Sequence, residues 1–205
     1  MLDRYALKIS KPLVDRVAVS IRRCGFTADQ VTLFGFGLGL ASALCVGFGL
    51  HTTAIFPMLV SRFCDGLDGA VARQGTATDR GAFLDISLDF IFYASIPLAF
   101  AVSNPLDNAL AAATLLAAFV GTGSGFLAYA IIAEKRGLKS TAYPTKTFYY
   151  LGGLTEGSET IACFLAMCIW PQHFAVLAYF YACLCALTTV TRLLAGWQAF
   201  VVTKH

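Results

Sequence analysis

Residues 31–50 and 109–133 contain no Asp, Glu, Lys or Arg, and such long uncharged runs limit this chain most. A helix needs about 20 largely apolar residues to cross a hydrocarbon core about 30 Å thick. The chain has 205 residues and only 13% are charged, against about 25% in a typical soluble domain. Lipid is therefore the solvent for much of it. Its length fits six spans and no separate soluble domain. They fall at about 31–50, 53–74, 80–102, 109–133, 147–170 and 174–200. The expected fold is an all-α integral membrane bundle of six transmembrane helices, residues 27–205. An N-terminal interfacial amphipathic helix lies within residues 1–26.

That N-terminal segment is basic, with Arg4, Lys8, Lys11, Arg16, Arg22 and Arg23. Ile9, Leu13, Val17 and Ile21 recur every four residues and predict an apolar stripe for a membrane surface. Pro12 is expected to interrupt this helix. No early apolar core suggests a secretory leader. Thr27 and Gln30 have the spacing of a capping box opening the first span. The links near 51–54, 103–108 and 171–173 lack Lys and Arg, whereas Arg73, Arg80, Lys135, Arg136, Lys139, Lys146 and Lys204 lie on the other side. The positive-inside rule assigns that side, with both termini, to the cytosol. A net charge of +3 gives no argument for nucleic acid. The seven cysteines form no CxxC pair and read as small apolar residues. Glycines 35, 37, 39, 121, 123 and 125 read as close-packing positions in lipid.

Four acidic residues break the apolar pattern: Asp65, Asp68, Asp85 and Asp89. Left unpaired at mid-bilayer they would cost roughly 10 kcal/mol together. They must face a polar chamber and meet positive charge. Basic partners are scarce in these spans: Arg62, then Arg73 and Arg80 at the edges. Asp65, Asp68, Gly69 and Ala72 form one helix stripe, and Gly81, Asp85 and Asp89 form another. Carboxylates are hard oxygen ligands suited to Mg²⁺ or Mn²⁺. Asp65 lies about 12 Å of helix from Arg73, and Asp89 about 14 Å from Arg80. A short link at 74–79 can thus bring the two stripes together near the cytosolic headgroups.

The segment Asp65-Gly66-Leu67-Asp68-Gly69-Ala70-Val71-Ala72-Arg73, followed by Gly81, Asp85 and Asp89, resembles the signature DxxDGxxAR…GxxxDxxxD of the CDP-alcohol phosphotransferase family. Every fixed position is present. The chain looks like the small bacterial inner-membrane members of that family. The resemblance implies transfer of a phosphatidyl group from CDP-diacylglycerol to an alcohol, with release of CMP, in phospholipid biosynthesis. It implies that Asp65, Asp68, Asp85 and Asp89 hold a pair of divalent cations, with Asp89 also the general base. Gly69, Ala72 and Gly81 would make room for the nucleotide, and Arg73 would support the acidic cluster or the diphosphate. A Pro-Asn-x-x-Thr pattern common in the family reads Ala28-Asp29-Gln30-Val31-Thr32 here. Thr32 alone keeps it, and is carried over as a nucleotide contact with Asp65. The family also implies a homodimer.

The acceptor is less constrained. Lys146, Glu156, Glu159 and Arg192 either line an acceptor pocket or include a structural ion pair between a glutamate and Arg192. A basic pocket would suit glycerol 3-phosphate or inositol phosphate, whereas the glutamates would suit an amine or sugar hydroxyls. Two other classes compete with the enzyme: a divalent-cation transporter using intramembrane carboxylates, and a membrane protein with a structural metal clip. Clustering of the acidic residues toward one face argues against transport. The small residues around them argue against a mere clip.

Overall fold

The computed structural model describes residues 3–75, 77–137 and 155–200. Among these the fold is all-helical, with seven helices: α1 (Asp3–Arg23), α2 (Ala28–Gly47), α3 (His51–Arg73), α4 (Asp79–Ser103), α5 (Pro105–Lys135), α6 (Gly157–Ile169) and α7 (Phe174–Ala199). Four helical segments are long and apolar enough to cross a membrane: α2, α4, α5, and α7 with its preceding turn. α3 is as long as these but carries Arg62, Asp65, Asp68 and Arg73 in its second half. α6 is apolar and short, and residues 147–154 of the expected fifth span lie outside the described set.

The boundaries follow local chemistry. The Thr27 hydroxyl accepts from the Gln30 amide, and the Gln30 side chain accepts from the Thr27 amide, completing the expected box. Pro105 opens α5 at a position whose N–H would have no helical partner. That proline starts the helix a turn before the predicted span.

One expectation for α1 needs correction. Pro12 does not interrupt it, and the helix runs through. The side of α1 that meets protein lies next to the predicted apolar stripe and shares Val17 and Ile21 with it. Val14 and Ala18 are buried with Val17 and Ile21 beside them, against Leu67, Ala70 and Val71 of α3, while Leu13 is 59% exposed. The small Ala18 lets α1 approach α3 closely. The helix thus docks on protein as well as presenting basic residues outward.

α2 is the spine of the first half, packed along both α3 and α4, whereas α3 and α4 barely approach each other. α5 packs on α4 and α7, and α6 on α3 and α7. Small residues set these spacings. A Cβ at Gly35 would lie 2.7 Å from Cys64 Cβ, and one at Gly39 would lie 2.7 Å from the Phe92 ring. Gly37 and Gly125, read as packing positions, have open space. The main core joins α2 to α7 through Phe92, Ile96, Phe100, Phe164 and Phe174. The His51, Phe100 and Phe174 rings stack in series, with centroids 5.3 and 4.4 Å apart. They gather the start of α3, the end of α4 and the start of α7 at one end of the bundle. His51, read as a link residue, is thereby the first residue of α3.

Candidate active site

Because α3 and α4 each lean on α2 rather than on each other, a polar chamber opens between them. Its wall includes Thr32, Ser61, Arg62, Asp65, Asp68, Asp85 and Asp89. All four predicted aspartates reach this one chamber. Carboxylate oxygens of Asp65, Asp85 and Asp89 lie within 4.8 Å of one another. Residues 65, 85 and 89 come from two helices of opposite direction, as the stripe spacing requires.

Asp68 lines the same space but sits apart from that triad. It is only 5% exposed, and its Oδ2 accepts a 2.5 Å hydrogen bond from Thr32 Oγ1. Thr32 also donates to the Ala28 carbonyl one turn back. The threonine that keeps the family's pattern on α2 is thus bonded to the signature on α3.

Arg62, counted from the sequence among the scarce basic partners but given no place in the site, is part of the chamber. Its Nη1 lies 2.7 Å from Asp89 Oδ1 and 3.8 Å from Asp65 Oδ1. Its guanidinium carbon sits 4.2 Å from the Phe92 ring centroid and 5.7 Å from that of Tyr93. Nη2 donates to Ser61 Oγ at 3.3 Å. The signal was present, since Arg62 precedes Asp65 by three residues on one helix face.

Arg80 donates from Nε and Nη2 to Asp29 Oδ2, joining the first turns of α2 and α4. Gly81 lies under this pair. A Cβ there would be 3.1 Å from Asp29 Oδ1 and 3.2 Å from Thr78 Oγ1. Asp29, where the sequence departs from the family's asparagine, is therefore tied to α4. Gly69 has only the Arg73 guanidinium near its missing Cβ, at 3.3 Å. Ala72 is half-buried and Arg73 exposed.

The described residues proposed for the acceptor are not part of this chamber wall. Lys146 is outside the described residues. Glu156, Glu159 and Arg192 do not line the carboxylate chamber. Glu156 precedes α6, and its carbonyl accepts from the Thr160 amide and hydroxyl. Arg192 Nη1 donates to the Thr122 carbonyl at 3.1 Å, and its guanidinium lies 5.6 Å from the Phe126 ring. Thr155 bonds Thr188, and Thr160 bonds Tyr181, so α6 meets α7 through buried polar contacts.

Comparison with known proteins identifies the family. The profile of the CDP-alcohol phosphatidyltransferase family matches residues 26–203. The chain is 46% identical over 197 residues to the inner membrane protein YnjF of Escherichia coli (strain K12), covering 96% of each. It is 29% identical over 202 residues to a phosphatidylinositol phosphate synthase of Mycobacteroides abscessus, covering 82% of this chain and 76% of that one. The crystal structure of the Mycobacterium tuberculosis phosphatidylinositol phosphate synthase with CDP-DAG bound shares the fold. Its TM-score is 0.75 at 23% identity, covering 95% of this chain and 100% of that one. The transporter and metal-clip readings fall away, and the chain belongs to the CDP-alcohol phosphatidyltransferase family as an integral membrane phosphotransferase.

Proposed function

We propose that this enzyme transfers the phosphatidyl group of CDP-diacylglycerol to the hydroxyl of a phosphorylated alcohol and releases CMP. The observation that carries the reading is the convergence of Asp65, Asp85 and Asp89 oxygens within 4.8 Å in a chamber shared with Asp68. Three clustered carboxylates are hard donors suited to Mg²⁺ or Mn²⁺, and Asp68 completes a set for two ions. Such ions supply charge neutralisation at the diphosphate. A crystal structure of the Mycobacterium tuberculosis relative in complex with manganese and citrate accords with this donor set.

The chain's own residues do the remaining work. Thr32, Asp65, Gly69, Ala72, Arg73 and Gly81 border the nucleotide, with Thr32 steadying Asp68. Asp89 takes the proton as the acceptor oxygen bonds to the lipid-linked phosphorus. The bridging P–O bond breaks, and CMP departs with its electron pair. Both diacyl tails remain in lipid. We read α3 and α6 as spans too, giving six, with α1 on the cytosolic surface and the chamber opening there.

For the acceptor, Lys146, Glu156, Glu159 and Arg192 remain our assignment. Depth supports the α6 pair. Gly157–Ile169 has 13 residues, so Glu156 lies about 20 Å of helix from the Trp170 end. Asp89 lies about 21 Å of helix from Ser103 at the same end of the bundle. Relatives named archaetidylinositol phosphate synthase and phosphatidylinositol phosphate synthase support inositol phosphate, with glycerol 3-phosphate as the second candidate.

The test is CMP release by the full chain in nanodiscs, from CDP-diacylglycerol, with each acceptor and with or without Mg²⁺ or Mn²⁺. Metal-dependent release with a phosphorylated alcohol is expected. Asp89→Asn should bind CDP-diacylglycerol and release no CMP, and Lys146→Ala should weaken acceptor binding. No CMP with any acceptor would end the proposal, and wild-type turnover by Asp89→Asn would remove its base.

A further inference from the structure

We infer that Arg62 is a positioning residue that competes with the divalent cations for Asp89 while fixing the direction in which that carboxylate faces. The inference rests on the proposed role of Asp89. Arg62 has 14% side-chain exposure and is held on three sides: by Asp89 Oδ1, by Ser61 Oγ, and by the face of Phe92. A guanidinium so confined cannot swing away as a lysine would. It occupies one oxygen of Asp89 and leaves Oδ2 as the atom able to meet a cation or an acceptor hydroxyl.

Two consequences follow with opposite signs. Arg62 supplies one positive charge beside Asp65 and Asp89, so it lowers the attraction of the chamber for further cations. It also orients the base, and misplacing a reacting group by about 1 Å costs about 100-fold in rate. Removing the guanidinium should therefore tighten metal binding and slow turnover together. A role in folding alone would weaken both.

Arg62→Met keeps an unbranched apolar stem against Phe92, and Arg62→Lys keeps the charge without the planar fork. Mn²⁺ binding is read by EPR on the full chain in nanodiscs without substrate, and turnover by CMP release. Arg62→Met should bind Mn²⁺ about tenfold more tightly, with kcat about 100-fold lower and KM for CDP-diacylglycerol within about threefold of wild type. Arg62→Lys should keep wild-type Mn²⁺ affinity and recover part of kcat. In an Asp89→Asn background, most of the affinity change on adding Arg62→Met should vanish. Unchanged or weaker Mn²⁺ binding by Arg62→Met, or wild-type kcat, would overturn the inference. Failure of the wild-type protein to release CMP would instead sink the transferase proposal, because Mn²⁺ binding is read without turnover.

Discussion

The two ends of α3 and α4 are built on opposite terms. Toward Arg73 and Asp79 the helices stand apart and face each other with four aspartates and the half-buried Arg62, beside Thr32 of α2. Toward His51 and Ser103 they are joined by stacked and edge-on rings, with Phe92, Phe100, Phe164 and Phe174 fully buried. In lipid the aromatic end is held by close packing, not by escape from water. The carboxylate end gains little from its own side chains, since like charges crowd it. Residue 62 is where one regime meets the other, its charge on Asp89 and its face on Phe92. The comparison teaches that rigidity and chemistry are divided along the same two helices, not between separate domains.

The division makes each end separately breakable. The largest effect is expected from Asp85→Asn, which should lower CMP release about 1,000-fold by loss of several kcal/mol of charge stabilisation. Its melting temperature in chelator should equal or exceed wild type, because one like charge has left the cluster. Next, Phe164→Ala should destabilise the bundle by about 3–5 kcal/mol, seen by thermal or denaturant unfolding in detergent. Its Mn²⁺ affinity should stay near wild type. Gly39→Ala crosses the boundary, placing a methyl against Phe92 and 3.0 Å from Ser61 Oγ. It should cost about 1–3 kcal/mol by overpacking and also disturb turnover, since both neighbours hold Arg62. Undiminished activity there would show that the two ends are uncoupled. The smallest effect belongs to Arg80→Ala, whose arginine side chain is 79% exposed. It should cost less than about 1 kcal/mol of stability, measured by the same unfolding curves, and less at high salt.

Much of this was legible in the residues. Uncharged runs located α2 and α5, and the spacing of Asp65, Asp85 and Asp89 was enough to bring them together. Helix stripes report which residues share a face, so they carried the aspartates. They do not report how far one helix slides along another. For that reason the pairing of Arg62 with Asp89, 27 positions away, was out of reach although its link to Asp65 was not. The same gap hid the Asp29–Arg80 pair, whose members head two different helices. The apolar stripe of α1 was legible as a membrane-surface feature, but the docking of Val14 and Ala18 on α3 was not, because it depends on where a second helix lies. Residues 138–154, with Lys146, lie outside the described structure, so the basic side of the acceptor reading stands on sequence alone.

α2 gives the architecture a final consequence. The opposed walls of the chamber are each fastened to a third helix, at Gly35 on one side and Gly39 on the other. The width of the opening is thus gauged by a surface that carries none of its aspartates, as the span of a calliper is set by its back. Bulk added at those two glycines would shift the walls, and the aspartates they carry, without removing any acidic ligand. The spacing of the acidic ligands is consequently set in part by glycines on a helix that supplies none of them.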